Sequence, residues 1–231
     1  MHRTRIVIGT LVLLMTGVLS ATAQDQSKAV ENGGISVPGW SGAIDANETK
    51  NGQMLENSSL SAHGEMLHVK TGPSVVYWKP ENKASGDYTI SATFEEPGYM
   101  AGGDHPHPYG LFIGGNDLGT DSASFLYCAA YGNGSFIVRG FGPEPFQMNG
   151  RRPEANAAVN KAADKGTAVT QAISLSVKGD KVECAINGAV VASYAKADVV
   201  GAGKLKSTDG LYGIRFGHNT EASVAGLKMS K

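Results

Sequence analysis

What the chain lacks narrows it first. Of 231 residues only two are cysteine, Cys128 and Cys184. That is far too few for a disulfide scaffold or a zinc ribbon. Charged residues are sparse at 18%, with 20 Lys and Arg against 21 Asp and Glu and a formal net charge of −1. No basic residues cluster, so nucleic acid and anionic lipid are poor partners. There is no repeat of roughly 20–50 residues, no sustained heptad and no low-complexity tract, which excludes solenoids, propellers and coiled coils. No apolar run approaches the ~20 residues of a spanning helix; the longest, Ile6–Leu19, is about 14. The acids stand singly or, at Glu95-Glu96, side by side. No strand therefore offers carboxylates at i, i+2 or i, i+4 on one face, and two-carboxylate glycoside hydrolysis has no evident home.

The amino terminus carries its own message. His2, Arg3 and Arg5 precede Ile6–Leu19, and Ala21-Thr22-Ala23 precedes Gln24. A positive start, a short apolar core and a small-x-small site make a cleavable secretory signal peptide. No Cys follows that site, so no lipid anchor is expected. The predicted organisation is a signal peptide over 1–23, a flexible segment over 24–34 and a β-sandwich domain over 35–231. The expected location is periplasmic or secreted, in a bacterial setting, with no integral membrane segment after cleavage. The remaining roughly 208 residues suit one all-β domain and can bury a core without staples. Export permits a disulfide. Cys128 and Cys184 lie in the apolar runs FLYCAAY and KVECAIN, which suits either a bridge or two separate buried thiols.

What is present reads as strands. In DYTISATFEE, Tyr88, Ile90, Ala92 and Phe94 share one face, and Thr89, Ser91, Thr93 and Glu95 the other. Period two with a polar side predicts a half-buried antiparallel strand. In SFLYCAAY both faces are apolar: Phe125, Tyr127, Ala129 and Tyr131 on one, Leu126, Cys128 and Ala130 on the other. That predicts a central strand covered on both sides. Gly132-Asn133-Gly134 then leads into SFIVRGF as a hairpin. Lys178-Gly179-Asp180-Lys181 and Asn187-Gly188 are tight-turn chemistry. Gly52–Asn57 and Glu65–Val69 read as short strands. The Ala-rich stretch ANAAVNKAADKG is expected to form one or two helical turns ending at Gly166, and Ala197–Thr208 a loop. The whole predicts an all-β, single-domain, two-sheet antiparallel sandwich with one short helical insertion.

The last third has a recognisable order: I-x-L-x-V-x-G-D-x-V-x-C-x-I-N-G-x-V-V, then G-L-Y-G-I-R-F-G and an apolar closing strand. It resembles the carboxy-terminal part of concanavalin A-like (LamG/laminarinase-type) jelly-roll domains. It is similar in particular to exported bacterial domains of the 3-keto-disaccharide hydrolase-like family. The resemblance spans roughly Ser74–Met229 and implies a jelly roll. The matching motifs are turn and strand signals, so it implies fold more than activity. It also has a gap: the E-x-D-x-x-E catalytic strand of laminarinase-type enzymes is missing here. That argues against a conventional glycoside hydrolase.

The residues with chemical potential are few. In Asp104-His105-Pro106-His107-Pro108-Tyr109, two His two positions apart share a face if the segment is extended. Asp104 could orient a ring or add a ligand; otherwise the segment is a Pro-stiffened loop with hydrated rings. His218 and Asp117 are the distant residues that could complete a site. A metal site needs ligands the sequence does not identify, so no metal or other cofactor is assigned. Arg139 and Arg215 interrupt strands. On a concave sheet face a guanidinium bonds sugar hydroxyls or a carboxylate; on an ordinary outer face it is simply solvated. Tyr99, Tyr109, Tyr127, Tyr131, Trp40 and Trp78 stack on sugar rings or fill the core. The candidate ligand-binding set is Tyr99, Asp104, Tyr109, Arg139, Arg215 and His218, and the candidate catalytic pair is His105 and His107. Three functions compete. One is an exported β-sandwich binding a carbohydrate or glycoconjugate. The second is a hydrolase or lyase using a His base on a keto-glycoside. The third is a structural or interaction module of the envelope.

Overall fold

A computed structural model describes residues 26–101, 103–142 and 144–231; the signal-peptide reading over 1–23 lies outside them. The strands are β1 (Gly34–Ile35), β2 (Ser41–Ile44), β3 (Ser59–His63), β4 (Met66–Lys70), β5 (Val75–Ala84), β6 (Tyr88–Glu96), β7 (Tyr109–Asn116), β8 (Ser124–Tyr131), β9 (Ser135–Phe141), β10 (Pro145–Gln147), β11 (Glu154–Ala155), β12 (Val169–Lys178), β13 (Lys181–Ile186), β14 (Ala189–Ala195), β15 (Gly210–Phe216) and β16 (Glu221–Ser230). The first sheet runs β1-β3-β4-β16-β6-β12-β13-β14. The second runs β10-β9-β8-β7-β15-β5-β2, with β11 also on β9. Every pairing is antiparallel except β1 with β3. This is a two-sheet antiparallel jelly-roll sandwich.

The alternation in β6 explains its place. Tyr88, Ile90, Ala92 and Phe94 are buried, while Thr89, Ser91, Thr93 and Glu95 are half-buried or exposed. The strand sits mid-sheet between β16 and β12. From the facing sheet, Tyr77, Leu111, Ile113, Leu126 and Phe216 enter the same core with no exposure. Each such side chain contributes roughly 1.5–3 kcal/mol when fully buried. Cys128 of β8 and Cys184 of β13 meet in that core as a disulfide, with Cα atoms 6.1 Å apart. The bond ties one sheet to the other.

The turns follow their residues. β8 and β9 form the hairpin expected through Gly132-Asn133-Gly134, with Tyr131 opposite Ser135. Between β13 and β14, Asn187 and Gly188 take φ of 50° and 86°, the two positive values a type I′ turn requires. Asn187 does more than turn. Its Oδ1 accepts from Ala172 N at 2.8 Å, and its Nδ2 donates to Gln171 Oε1 and Ala158 O, each at 2.8 Å.

Two local expectations differ from the structure. The Ala-rich stretch is not helical. Val159 and Ala162 are buried, Ala162 N donates to Gly132 O, and Asn160 exchanges hydrogen bonds with Gln171. Tertiary partners take the backbone groups that a helix would have used, overriding alanine's propensity. Short helices occur instead at α1 (Ala46–Lys50) and α2 (Lys196–Val199), and Leu55–Asn57 is a 3-10 turn where a strand was expected. Residues 26–34 meet the domain through hydrogen bonds. Asn219 Nδ2 donates to Gln26 O, Gln53 Nε2 to Ser27 O, and Val30 N to Asn57 O.

Candidate functional site

The second sheet has a second buried face. Its inward positions belong to the core. Its outward positions, Val76 and Trp78 of β5, Phe112 of β7, Phe125, Tyr127, Ala129 and Tyr131 of β8 and Ile137 of β9, form a separate apolar cluster. Both faces of β8 are therefore covered, as its sequence implied. Arg215 of β15 and Arg139 of β9 stand on this outward floor, because each alternates with inward neighbours.

Arg215 is only 5% exposed. Its Nη1 and Nη2 donate to Asp45 Oδ1 and Oδ2, both at 2.6 Å. Its guanidinium lies 5.2 Å from the Tyr127 ring centre and 5.8 Å from that of Phe141. Burial pushes this group's pKa down, but the Asp45 carboxylate more than reverses that and raises it. The result is a fixed ion pair set into the aromatic floor. Asp45 immediately precedes α1 yet makes no side-chain cap bond there; its carboxylate is given to Arg215.

Arg139 is less enclosed. Across the strands it faces Tyr127 on one side and Gln147 on the other. Nη2 donates to Arg151 O at 2.8 Å. Nε is buried and has no hydrogen-bond partner among the described residues. Tyr131, on the same face, has its phenol pushed up to about 12 by burial, and burial raises Tyr127 as well. Both hydroxyls stay protonated at neutral pH.

The His-Pro loop closes one end of this floor. Gly217 N donates to Pro108 O at 2.7 Å, and Thr71 Oγ1 donates to Gly217 O at 2.7 Å. A Cβ on residue 217 would stand 2.7 Å from the Pro108 ring, so glycine permits the approach. That contact lays His105 and His107 against His218. The His107 ring centre is 4.3 Å from that of His105 and 4.3 Å from that of His218. His107 is buried, His218 half-buried and His105 exposed. Asp104 Oδ1 lies 2.7 Å from His105 Nδ1, and that hydrogen bond holds the Asp104 carboxyl below its usual range. His218 Nδ1 lies 3.9 Å from Glu48 Oε1. Glu48 is itself anchored, accepting from Ser27 Oγ at 2.7 Å and Ser74 N at 3.1 Å.

These groups share one space. A cavity of about 370 Å³ is lined by His105, His107, His218, Tyr127, Tyr131, Arg139 and Arg215 with Phe146 and Gln147. It adjoins a larger one of about 1620 Å³, the two sharing Asp45, Phe141, Pro145 and His218. Of the sequence candidates, His105, His107, Arg139, Arg215 and His218 meet at the smaller cavity, and Asp104 lies on the wall of the larger.

Others are placed elsewhere. Tyr109 is a correction: it has no exposure and lies between the sheets against Phe94 and Phe216, because its position in β7 points inward. Tyr99 lies beside Gly132 and Glu96, outside both linings. Asp117 forms an ion pair with Lys206 and does not join the histidines. Trp40 packs partly buried against the core, with Lys79 Nζ 6.0 Å from its ring centre. Asp45 and Glu48 were not anticipated. Their one local signal is the D-x-x-E spacing that commonly opens a helix, and nothing local links it to Arg215 or His218.

No protein-family model and no curated protein matches the chain. Among solved structures it is similar to the carbohydrate-binding module CBM66 from Bacillus subtilis, with a TM-score of 0.55 at 10% identity, covering 86% of this chain and 99% of that one. It is also similar to a protein of unknown function with a galectin-like fold from Bacillus subtilis. There the TM-score is 0.53 at 14% identity, with 82% and 88% of the two chains covered. At such identities the likeness is one of fold.

Proposed function

We propose that the outward face of the second sheet binds a carbohydrate or glycoconjugate, and that the protein does so after export to the periplasm or beyond. The observation that carries this reading is the aromatic floor of Tyr127 and Tyr131 in one cavity with Arg139, which stands across the strands from Tyr127 and Gln147. Aromatic faces take the apolar side of a sugar ring, and a guanidinium supplies donors in a fixed fork for hydroxyls or a carboxylate. The unmet Nε of Arg139 is a donor that such a ligand would satisfy. The fold shared with a carbohydrate-binding module agrees with this reading. Export draws on the amino-terminal sequence alone. Among the described residues no helix is long and apolar enough to cross a membrane.

Arg215 serves differently. Its two terminal nitrogens are committed to Asp45, so it shapes the floor and holds Tyr127. A catalytic reading, with a His base acting on a keto-glycoside, draws on His105 and His107 at the end of the same cavity. Hydrolysis by two carboxylates finds no support there: Asp45, the only acid in the smaller cavity among the described residues, is paired with Arg215.

The test is a broad glycan array followed by calorimetry on wild type, Arg139→Ala and Tyr131→Ala. Micromolar-to-millimolar binding is expected, weakened about 10-fold or more in each variant, as for loss of a charge-assisted hydrogen bond or an aromatic platform. Absence of binding across the array would overturn the reading, as would affinity indifferent to both substitutions.

A further inference from the structure

We propose that His105, His107 and His218 form a binding site for one divalent transition-metal ion. One donor atom from each ring lies within 4.8 Å of the other two. Three nitrogens around a tetrahedral ion, each about 2.0–2.1 Å from it, stand roughly 3.3 Å apart. Small ring rotations therefore close the cluster onto a metal. The backbone that carries the rings is already locked by the Gly217–Pro108 hydrogen bond, so no loop has to be recruited.

The surroundings suit a metal better than a chance contact of rings. Carboxylates stand beside two of the three Nδ1 atoms: Asp104 at 2.7 Å from His105 and Glu48 at 3.9 Å from His218. At His105 the hydrogen-bonded carboxylate keeps the proton on Nδ1 and leaves Nε2 with its lone pair, the pattern that orients metal-bound imidazoles. Both carboxylates also offset the charge of a divalent cation. An all-imidazole set selects zinc, copper, nickel or cobalt over magnesium or calcium. Three protein ligands leave a coordination position open. All three rings line the cavity that also holds Tyr127 and Arg139, so that position faces the same space. This inference does not depend on sugar binding and is tested with metal alone.

The protein is purified without a histidine tag, stripped with a chelator and titrated with Zn²⁺ by calorimetry and with Co²⁺ by visible absorption. The expected result is one Zn²⁺ per chain at micromolar Kd or tighter and a saturable cobalt band. Asp104→Asn should weaken binding about 10–100-fold, as loss of an orienting partner does, and His105→Ala and His218→Ala by at least as much. His105 is exposed, so its substitution tests the site without threatening the fold. The His63→Ala, His68→Ala double variant, whose rings lie 4.9 Å apart on β3 and β4, should bind as wild type does. The proposal is overturned if no saturable binding appears below about 1 mM, or if His105→Ala and His218→Ala bind as tightly as wild type.

Discussion

On the outer face of the first sheet, Ser91, Thr93 and Glu95 of β6 lie between Ser174, Ala172 and Thr170 of β12 and Lys228, Ala225 and Ser223 of β16. All are half-buried or exposed. On the outer face of the second sheet the same alternation places Phe112, Phe125, Tyr127, Tyr131 and Ile137, all buried. A sandwich needs one apolar face per sheet, because the inner faces alone make the core. The first sheet stops there. The second buries apolar residues on both sides, and on the outer side it adds a guanidinium–carboxylate pair and a histidine cluster. The fold does not require that surplus, and the proposed binding face is the one that carries it.

The contrast is sharpest in two ion pairs, one on each sheet. Arg215–Asp45, on the second sheet, has side chains only 7% and 18% exposed. Lys70–Glu221, on the first, has 59% and 56%. Arg215→Ala leaves the Asp45 charge enclosed without its partner, and should cost about 3–5 kcal/mol in chemical denaturation. Replacing both partners, Arg215→Met with Asp45→Leu, should restore much of that loss. A cost under ~1 kcal/mol for Arg215→Ala would mean that the floor is wet and the two outer faces are alike.

An intermediate effect is expected where the first sheet turns an acid inward. Glu96 follows Phe94 on the buried side of β6, its Oε1 accepting from Met100 N at 3.3 Å. Burial raises its pKa to about 7, against smaller opposing effects of Met100 and Tyr109. Because the folded-state pKa is raised, this carboxyl's contribution is fully present below the unfolded value near 4.5. It is lost as pH climbs through about 7. Glu96→Gln should therefore match wild type near pH 4 and be the more stable by about 3 kcal/mol at pH 8. A stability difference that does not change between those two pH values would show that Glu96 is not buried as an acid.

The smallest effect closes the comparison. Lys70→Ala should change stability by less than about 1 kcal/mol, and even that should fade in high salt. A loss approaching that of Arg215→Ala would erase the distinction between the faces.

The sequence by itself determined the strands and their faces. Period two is a local property, so the split in DYTISATFEE and the double apolar pattern of SFLYCAAY already said which strand would be half-wet and which enclosed. The same phase turned Cys128 and Cys184 inward but left open whether they would meet. The hairpins were legible because Asn-Gly and Gly-Asn-Gly favour only a few backbone shapes. The Ala-rich stretch was misread because tertiary hydrogen bonds from Gly132 and Gln171 outweighed a weak helical propensity. Tyr109 was misread because a tyrosine next to a His-Pro loop can face either way until the strand's phase is known. The candidate site came from strand pairing within the second sheet. Asp45 and Arg215 are 170 residues apart, and His218 joins His105 and His107 only because β15 pairs with β7 and ends beside Pro108. No local pattern encodes which distant strands will pair, so the candidate site existed only once the second sheet had assembled.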